Sequence, residues 1–488
     1  MRRELIVLVL LSALALSGAT VGMVDFPITA SKPETQVCFN RAVAMLHNFW
    51  FEEAREKFES CAAAEPDFQM AWWGVAMTHN HSLWNRVWPE DARKALARIT
   101  KPEVLSARER KFVDALGVLF GKGSKKEREI AYSSAMAKIA NAYPDDLEAA
   151  SFYSLSLIAI DKRMKAAAIA LDVYGKQPEH PGAAHYIIHA FDDPEHAILA
   201  LPAANRYAKI APEAHHALHM PTHIYLQLGM WPQTISSNEL SWAASVAWQK
   251  RKNKSLSARD YHSQYWLAYA YLQMGRMEDA WKVWQAKRQD LIDSKGDGDV
   301  YRYWADLGAL LVISTGAWDR VEEVFTDPVT VRVAGSAGHT HTPTAPARAI
   351  EGFARGWAAA LNGEDIAPYI DRIEQARQIL IQRENPIAAA RCEAQQLMVK
   401  AVAARKAGKM EDAIAMLKQA NVLEEKEVNV SGPPDIIKPS HELAGEMLLE
   451  MNQAAAARKM FERALERQPK RRASLEGLAR TGALAESR

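Results

Sequence analysis

Along most of the chain, apolar residues return every three or four positions among Ala, Leu, Glu and Lys, the spacing of helices that bury one face. Strand-like alternation is nearly absent, and "VTVRV" at 329–333 is the exception. The pattern predicts an all-α protein.

A finer arrangement repeats on top of this periodicity. In "FEEAREKFESCAAAEPDFQMAWWGVAM", residues 51–77, an aromatic at 51, Ala54, Phe58, Cys61 and Pro66 are followed by Trp72 and Ala76. The same grammar returns as "MGRMEDAWKVW" (274–284), "TGAWDRVEEVF" (315–325), "AGKMEDAIAML" (407–417) and "NQAAAARKMFERALERQP" (452–469). A small residue lets two antiparallel helices approach, an aromatic fills the gap beside it, and proline ends the second helix. These segments resemble the tetratricopeptide repeat. The resemblance runs from about Thr35 to Pro469 and implies a superhelical solenoid of antiparallel helix pairs. It divides the chain into N-terminal and central repeats (35–328), a loop (329–347), C-terminal repeats (348–469) and a tail (470–488). It also implies a concave groove lined by residues two, five, nine, twelve and thirteen of each first helix, where ligands bind.

The histidines fall into this register. Eight of the 15 lie between His180 and His223. Pro178 and Pro212 are 34 residues apart, as are His185 and His219, and His189 and His223; 34 is the length of one repeat. By the resemblance, His185, His189, Asp192 and Asp193 take the groove positions of one first helix, and His216, His219 and His223 those of the next. In the following repeat His262, Tyr265 and Tyr269 take theirs, after an insertion expected within "WQKRKNKSLSARD". The stretch 178–285 is therefore the histidine-rich part of the groove.

Imidazoles spaced three, four or seven residues apart share one helix face, and neighbouring helices pack about 8 to 10 Å apart. Two such faces can converge on a metal ion. The expected ligand set is His185, His189, Asp192, His216, His219, His223 and His262, more than one closed tetrahedral site takes, so some act behind the ligands or two ions bind. Nitrogen-rich donors suit copper, iron or zinc, with copper leading and iron or zinc as alternatives. Asp192 or Asp193 can instead orient an imidazole through its N–H. Tyr265 and Tyr269 are the candidates for contacting substrate or holding a radical. Without a metal, the same histidines would line a groove for a peptide or an acidic ligand. His180 and His215 lie beside the two faces and are expected to cap or support. His47, His81, His196 and His441 read as ordinary core or solvated residues.

Pro221 interrupts the second cluster, either bending its helix or marking a late helix start. Upstream, Trp73, Met77 and His81 share the groove columns, with His79 nearby, and suggest an aromatic wall. Downstream, "VAGSAGHTHTPTAPA" (333–347) is a linker or a lid over the groove. "HPGAAHYIIHAFDDP" together with "HALHMPTHIYLQLGMW" resembles an exported bacterial subgroup of these repeat proteins, a resemblance that implies no particular reaction.

Composition narrows the field further. At 488 residues, 49% hydrophobic, 24% charged and net +1, the chain has no bias towards polyanions, which argues against nucleic acid. "MRRELIVLVLLSALALSGATVG" has the layout of a secretory signal peptide, residues 1–19, and so predicts a periplasmic or secreted protein; left uncleaved, the segment would anchor it to a membrane. Export would permit a disulfide. Cys38 and Cys61 can pair if their helices are neighbours, which leaves Cys392 odd. HExxH, GxSxG and P-loop motifs are missing. Three functions remain: a metalloenzyme, oxidising a small-molecule or peptide substrate with copper or iron or activating water with zinc; a metal-binding or delivery protein; and a peptide-binding scaffold.

Overall fold

Helices begin where the local chemistry satisfies their first amides. Ser106 and Ser124 each accept from the amide three residues on, and Glu109 and Glu127 reach back to the serine amides, a reciprocal cap. Proline opens other helices at Pro33, Pro89 and Pro181, where its missing N–H costs nothing. The computed structural model describes residues 21–326 except Asn85, then 344–427, 432 and 435–486. The expected signal peptide, the "VTVRV" strand and nearly all of the 329–347 loop lie outside them.

The described residues form two compact units. The first, residues up to 192 and 196–224, holds α1 (Pro33–His47), α2 (Phe51–Ala64), α3 (Met70–Met77), α4 (Pro89–Leu96), α5 (Ala107–Leu119), α6 (Lys125–Ala142), α7 (Leu147–Ala159), α8 (Arg163–Lys176), α9 (Pro181–Ala190), α10 (Ala197–Ile210), α11 (His215–His219) and the start of α12 (Pro221–Gln227). The only sheet among the described residues is a two-residue pairing of β1 (Asn80–His81) with β2 (Arg86–Val87). The second unit, 193–195 and 225 onwards, holds α13 (Trp231–Arg251), α14 (Tyr261–Gln273), α15 (Met277–Asp293), α16 (Gly298–Thr315), α17 (Val321–Phe325), α18 (Ala345–Asn362), α19 (Ala367–Gln382), α20 (Pro386–Lys406), α21 (Met410–Glu424), α22 (Ser440–Glu450), α23 (Ala454–Arg467) and α24 (Arg472–Glu486).

Consecutive helices pack on one another, and alternate ones touch as well: α7 on α9, α14 on α16, α18 on α20, α22 on α24. This is stacking of antiparallel helix pairs, and its grammar is visible in single contacts. Phe58 on α2 is fully buried, and a Cβ on Gly74 of α3 would stand 2.4 Å from its ring. Phe461 on α23 repeats the device between Gly445 and Gly477, whose Cβ positions fall 2.8 and 2.3 Å from its ring. The aromatic fills a space that only a residue without a side chain leaves open.

Two boundaries differ from expectation. α18 begins at Ala345, inside the expected loop, because Pro346 can occupy a first helical turn. The 470–488 segment, expected to trail the repeats, is helical over Arg472–Glu486 and packs on α23. The insertion before α14 partly lengthens α13, which runs 21 residues. Cys38 and Cys61 are bonded and join α1 to α2, while Cys392 is a buried free thiol. No helix among the described residues is long and apolar enough to cross a membrane.

Candidate metal centre

His180 caps α9: its Nδ1 accepts from the Ala183 amide at 3.1 Å, and Pro181 follows in the first turn. Gly182 comes next, where a Cβ would lie 2.6 Å from Nδ1 of His47, so α9 can press against α1 only with glycine there. One turn on, His185 is fully buried, and its Nδ1 donates to the backbone carbonyl of His47 at 2.7 Å. That bond fixes the tautomer and leaves Nε2 a bare lone pair. It has no hydrogen-bond partner among the described residues, and neither does Nε2 of half-buried His189. Burial pushes His185 down to about 3, and burial with its neighbours His185 and His223 pushes His189 well below the usual imidazole range. Both shifts favour the neutral imidazole, the state that ligates metal.

Pro221 ends α11 and opens α12, so the second cluster is split between two short helices instead of lying on one face. His216 and His219 stand on the first, His223 on the second. The chain still turns helically across the break, with the Met220 amide donating to His216 and the His223 amide to Met220. One ligand nitrogen each from His185, His189 and His216 lie within 4.8 Å of one another. Nε2 of His219 and Nε2 of His223 are 3.2 Å apart, and the His189 and His223 rings are 5.9 Å apart between centroids. The 34-residue register therefore brings together the five imidazoles it predicted within this unit.

Asp192 is hydrogen-bonded to one of the expected ligands. Its Oδ2 accepts from Nδ1 of His223 at 2.6 Å, which turns the other imidazole nitrogen towards His219. Asp193 belongs to the second unit and accepts from the Glu195 amide. His262 is half-buried on α14 of that unit, its ring 4.8 Å from Trp266. Tyr265 and Tyr269 are buried on the same helix, and the Tyr269 hydroxyl donates to Gln468.

The expected aromatic wall is built in part from other residues, though Met77 and His81 line one cavity with Phe49 and Trp84. Trp73 and Met77 are buried, Trp73 among Phe26, Phe112 and Phe152, and His81 stacks on Phe51 at 3.6 Å. Phe49 and Trp84 supply the other part. The Phe49 centroid is 4.3 Å from that of His185, and Trp84, 42% exposed, stands edge-on to His216 at 5.3 Å. The HxH pair at His339 and His341 lies outside the described residues.

A second cluster went unforeseen. Glu148, His47 and His180 are all fully buried. Nε2 of His47 donates to one carboxylate oxygen at 2.8 Å, Nε2 of His180 to the other at 3.0 Å, and Tyr186 donates to Nδ1 of His47 at 2.7 Å. Burial alone would raise Glu148, yet the two imidazoles more than offset it and hold the carboxyl well below its ordinary value. The one sequence hint was an acidic residue opening the otherwise apolar "LEAASFYSLSLIA".

No family model matches the chain, and no curated protein matches its sequence. Stacked helix pairs with interlocked phenylalanine and glycine decide the architecture. The architecture is all-α and stacks helix pairs in the manner of the tetratricopeptide repeat that the sequence resembles. Among solved structures, the APC/C hetero-tetramer Cut9–Hcn1 is similar over 93% of this chain and 77% of that one, at 14% identity and a TM-score of 0.35. Yeast Tom70 is similar over 93% and 89%, at 9% identity and a TM-score of 0.35. Likenesses this distant carry no argument about what the tetratricopeptide pairs of this chain do.

Proposed function

We propose that this chain binds a transition-metal ion in its first unit through His185, His189 and His216, with His219 and His223 close enough to join. The observation that carries the reading is the pair of dry, unpartnered Nε2 atoms on His185 and His189. A buried acceptor without a donor costs about 1–3 kcal/mol, and an ion between the rings would remove that cost. The 3.2 Å between His219 and His223 is also near the roughly 3.3 Å separating two ligands held 2.0–2.1 Å from a tetrahedral ion. An all-imidazole set suits copper, with iron and zinc as alternatives. Such an ion, when bound, supplies Lewis-acid or redox chemistry. The chain's own share is to keep the imidazoles neutral, to aim them from behind through the His47 carbonyl and Asp192, and to cover them with Phe49.

Turnover of a small-molecule or peptide substrate is the enzymatic form of this reading, and storage or delivery of the ion its other form. The Cys38–Cys61 bond supports a place outside the reducing cytosol, in keeping with the signal-like N-terminus. One observation favours a second reading, a peptide-binding scaffold. Thr222 can donate to Nδ1 of His219, His219 to His223, and His223 to Asp192, a chain complete without any ion.

Elemental analysis of protein purified without chelator or affinity metal, beside the His185→Ala/His189→Ala variant, tests the proposal. About one equivalent of copper, iron or zinc in the parent and none in the variant is expected. No bound metal in the parent, even after reconstitution, would leave the scaffold reading in its place.

A further inference from the structure

Helix joints in this chain repeatedly place one residue in the left-handed region. Glycine fills it at Gly275, Gly316, Gly363 and Gly408, short polar residues at Asp161, Asn253 and Asn452, and longer charged ones at Lys295, Glu384 and Lys470; glycine, Asp and Asn reach positive φ at least cost. Between α1 and α2 the position is Phe49, at φ 54, the one aromatic with positive φ among the described residues. A bulky side chain held there is strained and persists only where its surroundings over-determine it.

The surroundings do so. The Phe49 ring lies against three candidate ligands: His185 at 4.3 Å, and His189 and His216 stacked at 5.8 and 5.7 Å. Two residues earlier, the His47 carbonyl takes the Nδ1 proton of His185. Between them Asn48 is fully buried, its amide donating to the carbonyls of Val21 and Ala44 and its oxygen accepting from Tyr207. The Tyr207 ring stacks on His185 at 5.2 Å, and Tyr186, which holds the His47 ring, stacks on it at 5.7 Å. The His47 carbonyl, Phe49, Tyr186 and Tyr207, which all meet the His185 ring, thus belong or bond to the same three-residue joint.

We propose that the joint His47–Asn48–Phe49 is a positioning device: it locks His185 as its Nδ1–H tautomer, with Nε2 facing His189 and His216. Asn48 is the positioning residue, acting through the His47 carbonyl without touching the imidazole cluster. The use of this device rests on the metal reading above, but the locked tautomer is a property of the metal-free chain and is testable without an ion.

Long-range 1H–15N spectra of the metal-free protein report which nitrogen of each imidazole carries a proton. In the parent, His185 is expected as a single tautomer with Nδ1 protonated; in Asn48→Ala it populates both. Titration with copper should then show binding 10–100-fold weaker in the variant, the usual loss when a group behind a ligand is removed. Should Asn48→Ala not fold, Tyr207→Phe removes one hydroxyl from the joint, keeps the stacked ring and should release a smaller share of the second tautomer. A parent protonated at Nε2, or variants with the parent's tautomer, would overturn the proposal. A locked parent that frees its tautomer on substitution yet binds no metal would uphold the device and remove the metal reading instead.

Discussion

The first unit contains two three-residue groups that look alike as metal sites and differ in one respect. Each gathers three ligating side chains within 4.8 Å. In His47, Glu148 and His180 the ring nitrogens and carboxylate oxygens are already engaged, by the Ala183 amide, the Tyr186 hydroxyl or one another. In the group of His185, His189 and His216, two Nε2 atoms have no partner. A cation entering the first group would have to displace protons and hydrogen bonds, whereas the second offers lone pairs that nothing else uses. Convergence of histidines alone therefore does not separate the two groups; the unused lone pairs do, and the proposed metal reading rests on them.

The comparison breaks most sharply on metal content. His185→Ala/His189→Ala should lower affinity for the ion more than 100-fold, while His180→Ala keeps full stoichiometry by elemental analysis. Loss from both variants would erase the distinction. Next in size is stability. Glu148→Ala leaves two imidazoles without their shared carboxylate and should cost about 3–5 kcal/mol in urea unfolding, as removal of one buried charged partner does. A cost under about 1 kcal/mol would show that the closed group is not a structural anchor. Cys38→Ser/Cys61→Ser opens the α1–α2 hairpin and should cost about 3 kcal/mol for a loop of this length, read from the same unfolding curves; an unchanged midpoint would separate the hairpin from the stability of either group. Smallest is Tyr186→Phe, which strips the hydroxyl from Nδ1 of His47 and should cost about 1 kcal/mol with metal stoichiometry intact, a pairing that calorimetry and metal analysis check together.

Much of this was legible in the chain. A 34-residue spacing is a statement about stacked repeats, so it placed His185 and His189 beside His219 and His223 before any coordinates. Gly182 in "HPGAAH" carried a sign that the sequence reading left unused: a glycine in a first helical turn can mark a close approach, in this case of His47. Phe49, Trp84 and Glu148 were not legible. Phe49 and Glu148 reach the site because α1 and α7 pack on α9, and Trp84 because its short turn packs on α7; a repeat register says nothing about which side chain of an irregular joint will point inward. Trp73 failed for the complementary reason: its helix column faces the aromatic core in this part of the unit, so the periodicity was right and the side was wrong. Pro221 left two outcomes open because its local effect depends on whether neighbours hold the chain helical across the break.

On the proposed reading, the two idle nitrogens would also make the folded state a sensor. An ion that they hold more tightly than the histidines of the unfolded chain do should raise the melting temperature with the logarithm of its free concentration, by up to about 4 kcal/mol of added stability at a thousand times its dissociation constant. A panel of metal salts read by thermal shift would therefore rank the ions by fit, with no assumption about a reaction, and the His185→Ala/His189→Ala variant would melt at one temperature whichever salt was present.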